Sequence, residues 1–526
     1  MRIWLTQAVA RFGYGCGLAA TAGADGAAPP DDPRSWLARQ LDGADPAVFA
    51  GLPDTADGLI RLREQRRLKP PPGQSLVEPL FRAELVAQLD RVWRGDTPFR
   101  ERLVWFWANH FTVSVRQNGV RPIVGAFVRE AIRPHVDGRF ADMLLAVMRH
   151  PAMLLYLDNA GSVGPDSPAG RRSHRGLNEN LARECLELHT VSPAAGYTQA
   201  DVTAFAAILT GWSVDMKADR PGFGFRPRAH EPGIKSLMGR DYPEGEAGGL
   251  LALDMLAHHP ATYRHLATKL ARHFLADDPT PAEIGHVGAA LRDSGGDLKA
   301  ASLALLDLPR AWVPGTKFRD GMSYAAAVLR ALGPPPPTPA VDWRLAATGT
   351  GEAEVPAMAG GPRAGPDPGG ASGAGGRPLF AAPAPGMGPS ARPEPVGAVA
   401  TTDGYVPDRP GTGGATRSYA QAGRGKRPGS PLAGAAAKLG QPTWSAPLPN
   451  GWTDEATGWN GPEAMMRRID WCFAAAGHHP DLDPMEVAEA SLGPLLSART
   501  AAAMRGAGDR RDALTLLFSS PEFQMR

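Results

Sequence analysis

Val77-Glu78-Pro79-Leu80-Phe81-Arg82-Ala83-Glu84-Leu85-Val86-Ala87-Gln88-Leu89-Asp90-Arg91-Val92 is followed by a second run, Thr97-Pro98-Phe99-Arg100-Glu101-Arg102-Leu103-Val104-Trp105-Phe106-Trp107. Together they decide the fold class. Val77, Phe81, Leu85, Leu89 and Val92 recur at three- and four-residue spacing, which places them on one stripe of an α-helix. Phe99, Leu103, Phe106 and Trp107 make the next stripe, opened by Thr97-Pro98 as a cap with proline in the first turn. Helical spacing continues from Asp31 to about Leu332, with few of the alternating β-branched runs that mark strands, so the pattern predicts a mainly α protein.

Outward from that stretch, the composition changes once. The chain has 526 residues, with Gly 62 and Pro 52 well above ordinary usage. The excess concentrates between 334 and 432, from Pro334-Pro335-Pro336-Pro337 onward, where few large apolar residues are present to offset the entropy of ordering. The expectation is a single large helical domain, with 1–333 as its first part, 334–432 as a disordered Pro/Gly-rich insertion and 433–526 as its C-terminal part. Helical pattern resumes at Gly461-Pro462 and runs through Met465, Ile469, Phe473, Leu514, Leu516 and Leu517.

Charge and cysteine usage exclude several classes. Lys+Arg 56 against Asp+Glu 54 gives a net charge of +2, which asks for no nucleic-acid partner. The arginines of the insertion are not interleaved with aromatics that could stack on bases. Cys16, Cys185 and Cys472 are too few and too dispersed for a disulfide framework or a Cys-x-x-Cys metal site. No segment approaches 18 consecutive apolar residues, so no membrane insertion is expected. The apolar stretch Ile3 to Ala10 is interrupted by Thr6 and Gln7 and ended by Arg11, a poor signal-peptide core, which makes the cytoplasm the default location and export the alternative.

Three further segments are legible. Thr198 and Asp201 read as a capping box before a helix with Val202, Phe205, Ala206 and Leu209 on its apolar face. Residues 213–249 lack helical periodicity and read as an ordered loop or short hairpin packed on the helices. His259-Pro260 opens a helix with Leu266, Leu270 and Phe274 on one face and Lys269, Arg272 and His273 on another; that basic stripe reads first as a solvated or ion-paired face, second as an anion site.

The richest polar stretch is Asn178-Glu179-Asn180-Leu181-Ala182-Arg183-Glu184-Cys185-Leu186-Glu187-Leu188-His189-Thr190. Asn180, Arg183, Glu184 and Glu187 share one face, opposite Leu181, Cys185 and Leu188, and Arg183 can pair with Glu187 along the helix. The face fits a solvated surface, a buried polar network, or a functional site with Glu184 and Glu187 as metal ligands or an acid/base pair oriented by Arg183 and Asn180. Asn109-His110, at the end of the Trp105-Phe106-Trp107 helix, reads as a dipole-complementing terminus or as a ligand and base. Asp158-Asn159 reads as a helix end, with Asn as a left-handed cap, or as further polar lining. His230 and Lys235, with Glu231 between them, bring imidazole, carboxylate and ammonium close together in the loop. His-Glu-x-x-His, Gly-x-Ser-x-Gly and phosphate-loop signatures do not occur, so the familiar metalloprotease, esterase and nucleotide-binding readings are disfavoured.

Many short motifs nevertheless form one pattern: Arg11-Phe12-Gly13-Tyr14-Gly15, Phe106-Trp107-Ala108-Asn109-His110-Phe111, Asp158-Asn159-Ala160, and Asn178-Glu179-Asn180 with Ala182-Arg183-Glu184 and Glu187-Leu188. It continues through Gly196-Tyr197-Thr198, Asp201-Val202, Leu209-Thr210-Gly211-Trp212, His230-Glu231-Pro232-Gly233-Ile234-Lys235, Leu439-Gly440-Gln441-Pro442, Asn450-Gly451-Trp452 and Ser520-Pro521-Glu522-Phe523. In these motifs the chain resembles the bacterial domain-of-unknown-function family numbered 1800. The resemblance implies a mainly helical single domain and no established activity. Many such relatives look exported and are encoded beside a sulfatase-like protein, which implies a sulfatase-like partner. The insertion here is longer and richer in Gly and Pro than the family pattern.

Two functional readings follow. One is a binding or accessory protein whose polar cleft, built on the Asn178 to Glu187 helix and lined by Asn109, His110, Asn180, Arg183, Glu184, Glu187 and His230, with Asp158, Asn178 and Lys235 as further binding residues, takes a partner or a small polar ligand. The other is a metal-assisted hydrolase of a polar substrate, with a divalent metal held by Glu184, Glu187, His110 and His230 and with Arg183 or Lys235 stabilising developing negative charge.

Overall fold

The apolar stripes become helices. In the computed structural model, which describes residues 2–17, 32–173, 176–333, 343–344 and 429–526, Arg2–Phe12 forms α1, Glu78–Arg94 α2 and Pro98–His110 α3. Leu89, Val92, Phe99 and Leu103 are wholly buried, and burial of one such side chain is worth about 1.5–3 kcal/mol. Pro98 sits in the first turn of α3 as read, but Thr97 makes no side-chain cap; the Phe99 N–H donates to Gln40 Oε1 (2.8 Å) instead.

The stretch from Ile3 to Ala10 belongs to α1, whose inner face carries Ala8, Arg11 and Phe12 into the main core. Arg11 donates to the carbonyls of Phe274 (3.0 Å), Leu275 and Val313 (2.6 Å each), so this stretch is part of the folded body. Gly13 follows because a Cβ there would stand 2.8 Å from Val9 O and 2.9 Å from Pro98 Cβ. Its carbonyl accepts from Arg102 Nε at 2.8 Å, which ties the end of α1 to α3.

Asn180–Glu184 is α4, and it widens at once into a π-helical turn, Cys185–His189. Gln199–Leu209, α5, begins in the capping box expected of Thr198 and Asp201. Residues 213–249 contain two antiparallel hairpins: β1 (Trp212–Asp215) with β2 (Gly222–Phe225), Trp212 opposite Phe225, and β3 (Lys235–Leu237) with β4 (Arg240–Tyr242), Lys235 opposite Tyr242. Pro260–Phe274 is α6 and Gly321–Ala331 is α7.

Beyond the Pro/Gly-rich span the helix Pro431–Lys438, α8, resumes with Ser430 accepting from the Ala433 N–H, earlier than the 433 boundary read from composition and well before Gly461. Pro462–Ala476, α9, starts where the sequence placed it. Trp343, inside the span read as an insertion, is buried against Leu80 and Ala83 and donates to Gly51 O at 2.8 Å. The rest of that reading lies outside the described residues. Met1–Gly349 and Pro428–Arg526 form one compact unit. Among the described residues no helix is long and apolar enough to cross a membrane.

Candidate functional site

A narrow cleft of about 80 Å³ opens between α3, α6, the start of α7 and the loop 441–454. The loop is held there by short-range chemistry. Asn109 behaves as a backbone surrogate: its Nδ2 donates to Trp452 O and its Oδ1 accepts from the Trp452 N–H, both at 2.8 Å. Gly451 has φ +79°, and a Cβ on it would lie 2.6 Å from Asn109 O, so only glycine lets the loop approach α3 this closely. Gln441 Oε1 accepts from the Met322 N–H at 2.7 Å, fastening the loop to the first turn of α7.

On the cleft wall, His273 near the end of α6 places Nδ1 2.6 Å from Asp454 Oδ1. Asp454 is held well below the usual carboxylate range, against its burial, by His273, Lys317 and Lys269. Burial carries the imidazole down to about 4, so the ring is neutral and its Nδ1–H donates to an ionised carboxylate. Nε2 is buried and, among the described residues, has no partner. The same holds for three other groups lining the cleft: Trp105 Nε1, Trp444 Nε1 and Thr443 Oγ1. Buried polar groups are paired nine times in ten; each of these four atoms has under 1 Å² of surface open to solvent, so they lie behind the cleft wall, in residues whose other atoms line it. Trp105 and Trp444 stack with ring centroids 5.9 Å apart. Arg102 lies over the Tyr14 ring at 4.4 Å, and Asp320 accepts from the Ser323 hydroxyl at 2.7 Å.

The residues singled out in the sequence fall into separate neighbourhoods. Asn109 reaches the cleft, as its staple. His110 is buried behind it, Nε2 3.1 Å from His189 O, with ring centroids 5.9 Å from His189 and 6.2 Å from His265. Burial first, then Lys269 and the two neighbouring imidazoles, hold its pKa far below that of a free histidine.

Glu184 and Glu187 are half-buried at the π-turn and, among the described residues, make no hydrogen bond or ion pair. Burial, with Glu187 adding to it and Arg183 opposing, pushes the Glu184 carboxyl up. The phenol of Tyr156 is pushed up to about 12 by burial and by Glu184. Arg183 pairs with Glu179 at 2.9 Å rather than with Glu187, because Glu179 also accepts from Gln199 and Thr203 and gathers the polar contacts to itself.

His230 and Lys235 do meet, in a closed network. His230 Nδ1 is 2.8 Å from Thr210 O, while Nε2 takes the Gly245 N–H at 2.9 Å and faces Lys235 Nζ at 3.1 Å. Lys235 also donates to Glu231 O. Asp158 is exposed in a left-handed conformation and accepts from Gln117, and it is Asp158 rather than Asn159 that takes the cap geometry; Asn159 is buried, donating to Leu209 O (3.2 Å) and Trp212 O (3.0 Å). Asn178 Oδ1 caps the Asn180 N–H at 2.9 Å, and Asn180 is exposed. No hydrogen bond or ion pair joins Glu184 or Glu187 to His110 or His230. Among the described residues no group of three or more His, Cys, Asp and Glu side chains is placed to hold a metal ion.

Sequence reading missed His273, Asp454, Trp105, Trp444 and Thr443 as a group. The signals were present: His273 stood in the basic stripe of α6, and Trp444 and Asp454 each lie two residues beyond a family motif. Lys269 and Arg272 are half-buried and His273 buried, so of the solvated or ion-paired face expected there the structure shows the ion-paired form, packed toward the 452–455 segment with Arg272 3.7 Å from Glu455.

The chain belongs to the DUF1800 family of proteins of unknown function, whose model matches residues 7–525. No curated protein and no solved structure matches it.

Proposed function

We propose that this chain is a binding protein that takes a small neutral ligand, bearing carbonyl or hydroxyl groups, into the cleft between α3, α6 and the 441–454 loop. The observation that carries the reading is a single cleft whose lining brings the rings of Trp105 and Trp444 together with the polar side chains of Asn109, Thr443 and His273. Polar side chains set among aromatic rings suit a ligand that carries carbonyl or hydroxyl groups on an apolar frame. The aromatic walls supply apolar contact. Arg102 is offset by Asp320, and Asp454 by Lys317 and Lys269, so no unbalanced cation favours an anionic ligand.

The test is NMR of protein ¹⁵N-labelled at tryptophan, titrated with neutral fragments such as N-acetylglucosamine and methyl lactate. The indole N–H signals of Trp105 and Trp444, assigned by Trp→Phe variants, should shift together for at least one fragment. Fragments that move neither signal would overturn the reading.

A sulfatase-like protein as partner is supported by the family resemblance, and copurification of the two coexpressed proteins tests it. The cytoplasm remains the working location, supported by the interrupted apolar stretch at Ile3 to Ala10, with export as the alternative; cell fractionation decides between them. The metal-assisted alternative gains no support, because its four ligands do not share one set of contacts.

A further inference from the structure

We propose that His110, His189 and His265 form an acid-sensitive catch that holds the π-helical turn Cys185–His189 against α3 and α6 at neutral pH and releases it as the pH falls. The inference stands apart from the binding reading above.

The catch joins three elements. His110 closes α3, His189 ends the π-turn and His265 lies in α6. The His110 ring centroid is 5.9 Å from that of His189 and 6.2 Å from that of His265. Two of the rings hold carbonyls at the end of the turn, where a helix has no partners of its own to offer: His110 Nε2 is 3.1 Å from His189 O, and His265 Nε2 is 2.9 Å from Leu188 O. A carbonyl only accepts, so each Nε2 carries the proton and the Nδ1 of each neutral ring is a bare lone pair.

Acid adds a second N–H that this junction cannot satisfy. His110 Nδ1 and both nitrogens of His189 are buried without a partner among the described residues. The Phe111 ring stands 4.5 Å from the His110 ring and 5.0 Å from the His189 ring, centroid to centroid, and offers no acceptor. The charged groups facing the rings are cations: Lys269 of α6 acts on all three, and Arg272 acts on His265. From the 452–455 segment Asp454 faces Lys269, and that carboxylate is already engaged by His273 and Lys317.

Enclosed nitrogens meet water only when the junction opens, so the open form takes up the protons and acid shifts the population toward it. Burial first, then Lys269, holds His265 at about 4 and His189 at about 3 in the closed form, against about 6.5 for a hydrated ring. The catch is therefore fully held above about pH 6.5 and lost as pH falls toward 4. Its release frees the turn that carries Glu187 from α6, the helix that also walls the cleft through His273.

The test is hydrogen exchange of the full chain, read by peptide mass spectrometry at about pH 7 and about pH 5.5 and corrected for the intrinsic pH dependence of exchange. A ring that returns from about 4 to about 6.5 on opening favours the open form by roughly eightfold between those two conditions. Protection of residues 185–192 should fall by at least that factor, while protection of α9 changes by less than about twofold. His265→Gln keeps a donor toward Leu188 O but does not titrate, so its loss of protection should be about eightfold smaller. Should that variant not fold, the wild-type contrast between 185–192 and α9 decides alone. Unchanged protection of 185–192, an equal loss in α9, or a His265→Gln variant that responds as the wild type does overturns the proposal.

Discussion

His230 in the hairpin region and His273 in the cleft are both buried imidazoles beside a charged residue, yet they differ in what their nitrogens are left to do. His230 spends Nδ1 on Thr210 O and Nε2 on the Gly245 N–H and Lys235, so its ring is a joint between the two hairpins and the end of α5. His273 spends Nδ1 on Asp454 and, in a residue that lines the cleft, keeps a buried Nε2 unpaired among the described residues. A buried imidazole with both nitrogens satisfied has no capacity left for a ligand. One with an unpaired nitrogen has kept it.

The sharpest way to break this contrast is His230→Ala. It strands the Gly245 N–H and the Thr210 carbonyl and leaves the Lys235 ammonium with Glu231 O alone, so urea unfolding should show a loss of about 3 kcal/mol. A loss under about 1 kcal/mol would mean the network holds little. Asn109→Ala removes both bonds to Trp452 and should cost about 2 kcal/mol, while weakening any fragment-induced shift of Trp444 because the loop is no longer stapled.

The pH dependence separates the histidines further. Burial depresses His273 and His265 to about 4 and His189 to about 3, so the unfolded chain, whose histidines titrate near 6.5, binds more protons than the folded one between those values. Stability from these rings is present above about pH 6.5 and is lost as pH falls toward 4. Unfolding followed between pH 7 and 5 should show a slope that drops by about one proton in His273→Gln; an unchanged slope would mean that His273 is already charged in the fold.

The smallest effect, and one of opposite sign, is expected at Glu184. Its carboxyl is raised by burial, so the folded protein binds the proton more tightly, and the ionised form at neutral pH weakens the fold. Glu184→Gln should therefore raise Tm by about 1–2 °C, discounted for a half-exposed group. A drop in Tm would show that the carboxylate has a stabilising partner.

Much of the architecture was readable because helix formation is local. The stripes of Val77 to Val92 and Phe99 to Trp107, the capping box at Thr198 and the opening of α6 at His259-Pro260 each depend on residues within a turn or two. The π-turn after Glu184 was not readable, and it changed which side chains share a face: Arg183 turned to Glu179. The start of α8 at Pro431 was hidden by Pro/Gly composition, although Ser430 caps it in the ordinary way.

The candidate site was legible only in fragments. Asn109, the Asn450-Gly451-Trp452 motif and Leu439-Gly440-Gln441-Pro442 were all visible as motifs, and all serve to place the loop. The groups they place, Trp444 and Asp454, stand just outside them.

By itself the sequence determined a helical body, its apolar faces, its caps and its family, because spacing and local hydrogen bonding settle those within a few residues. Only the tertiary structure decided which polar groups remain unpaired. His273 and Asp454 are 181 residues apart in the chain, and whether an imidazole nitrogen finds a partner depends on which distant backbone arrives beside it.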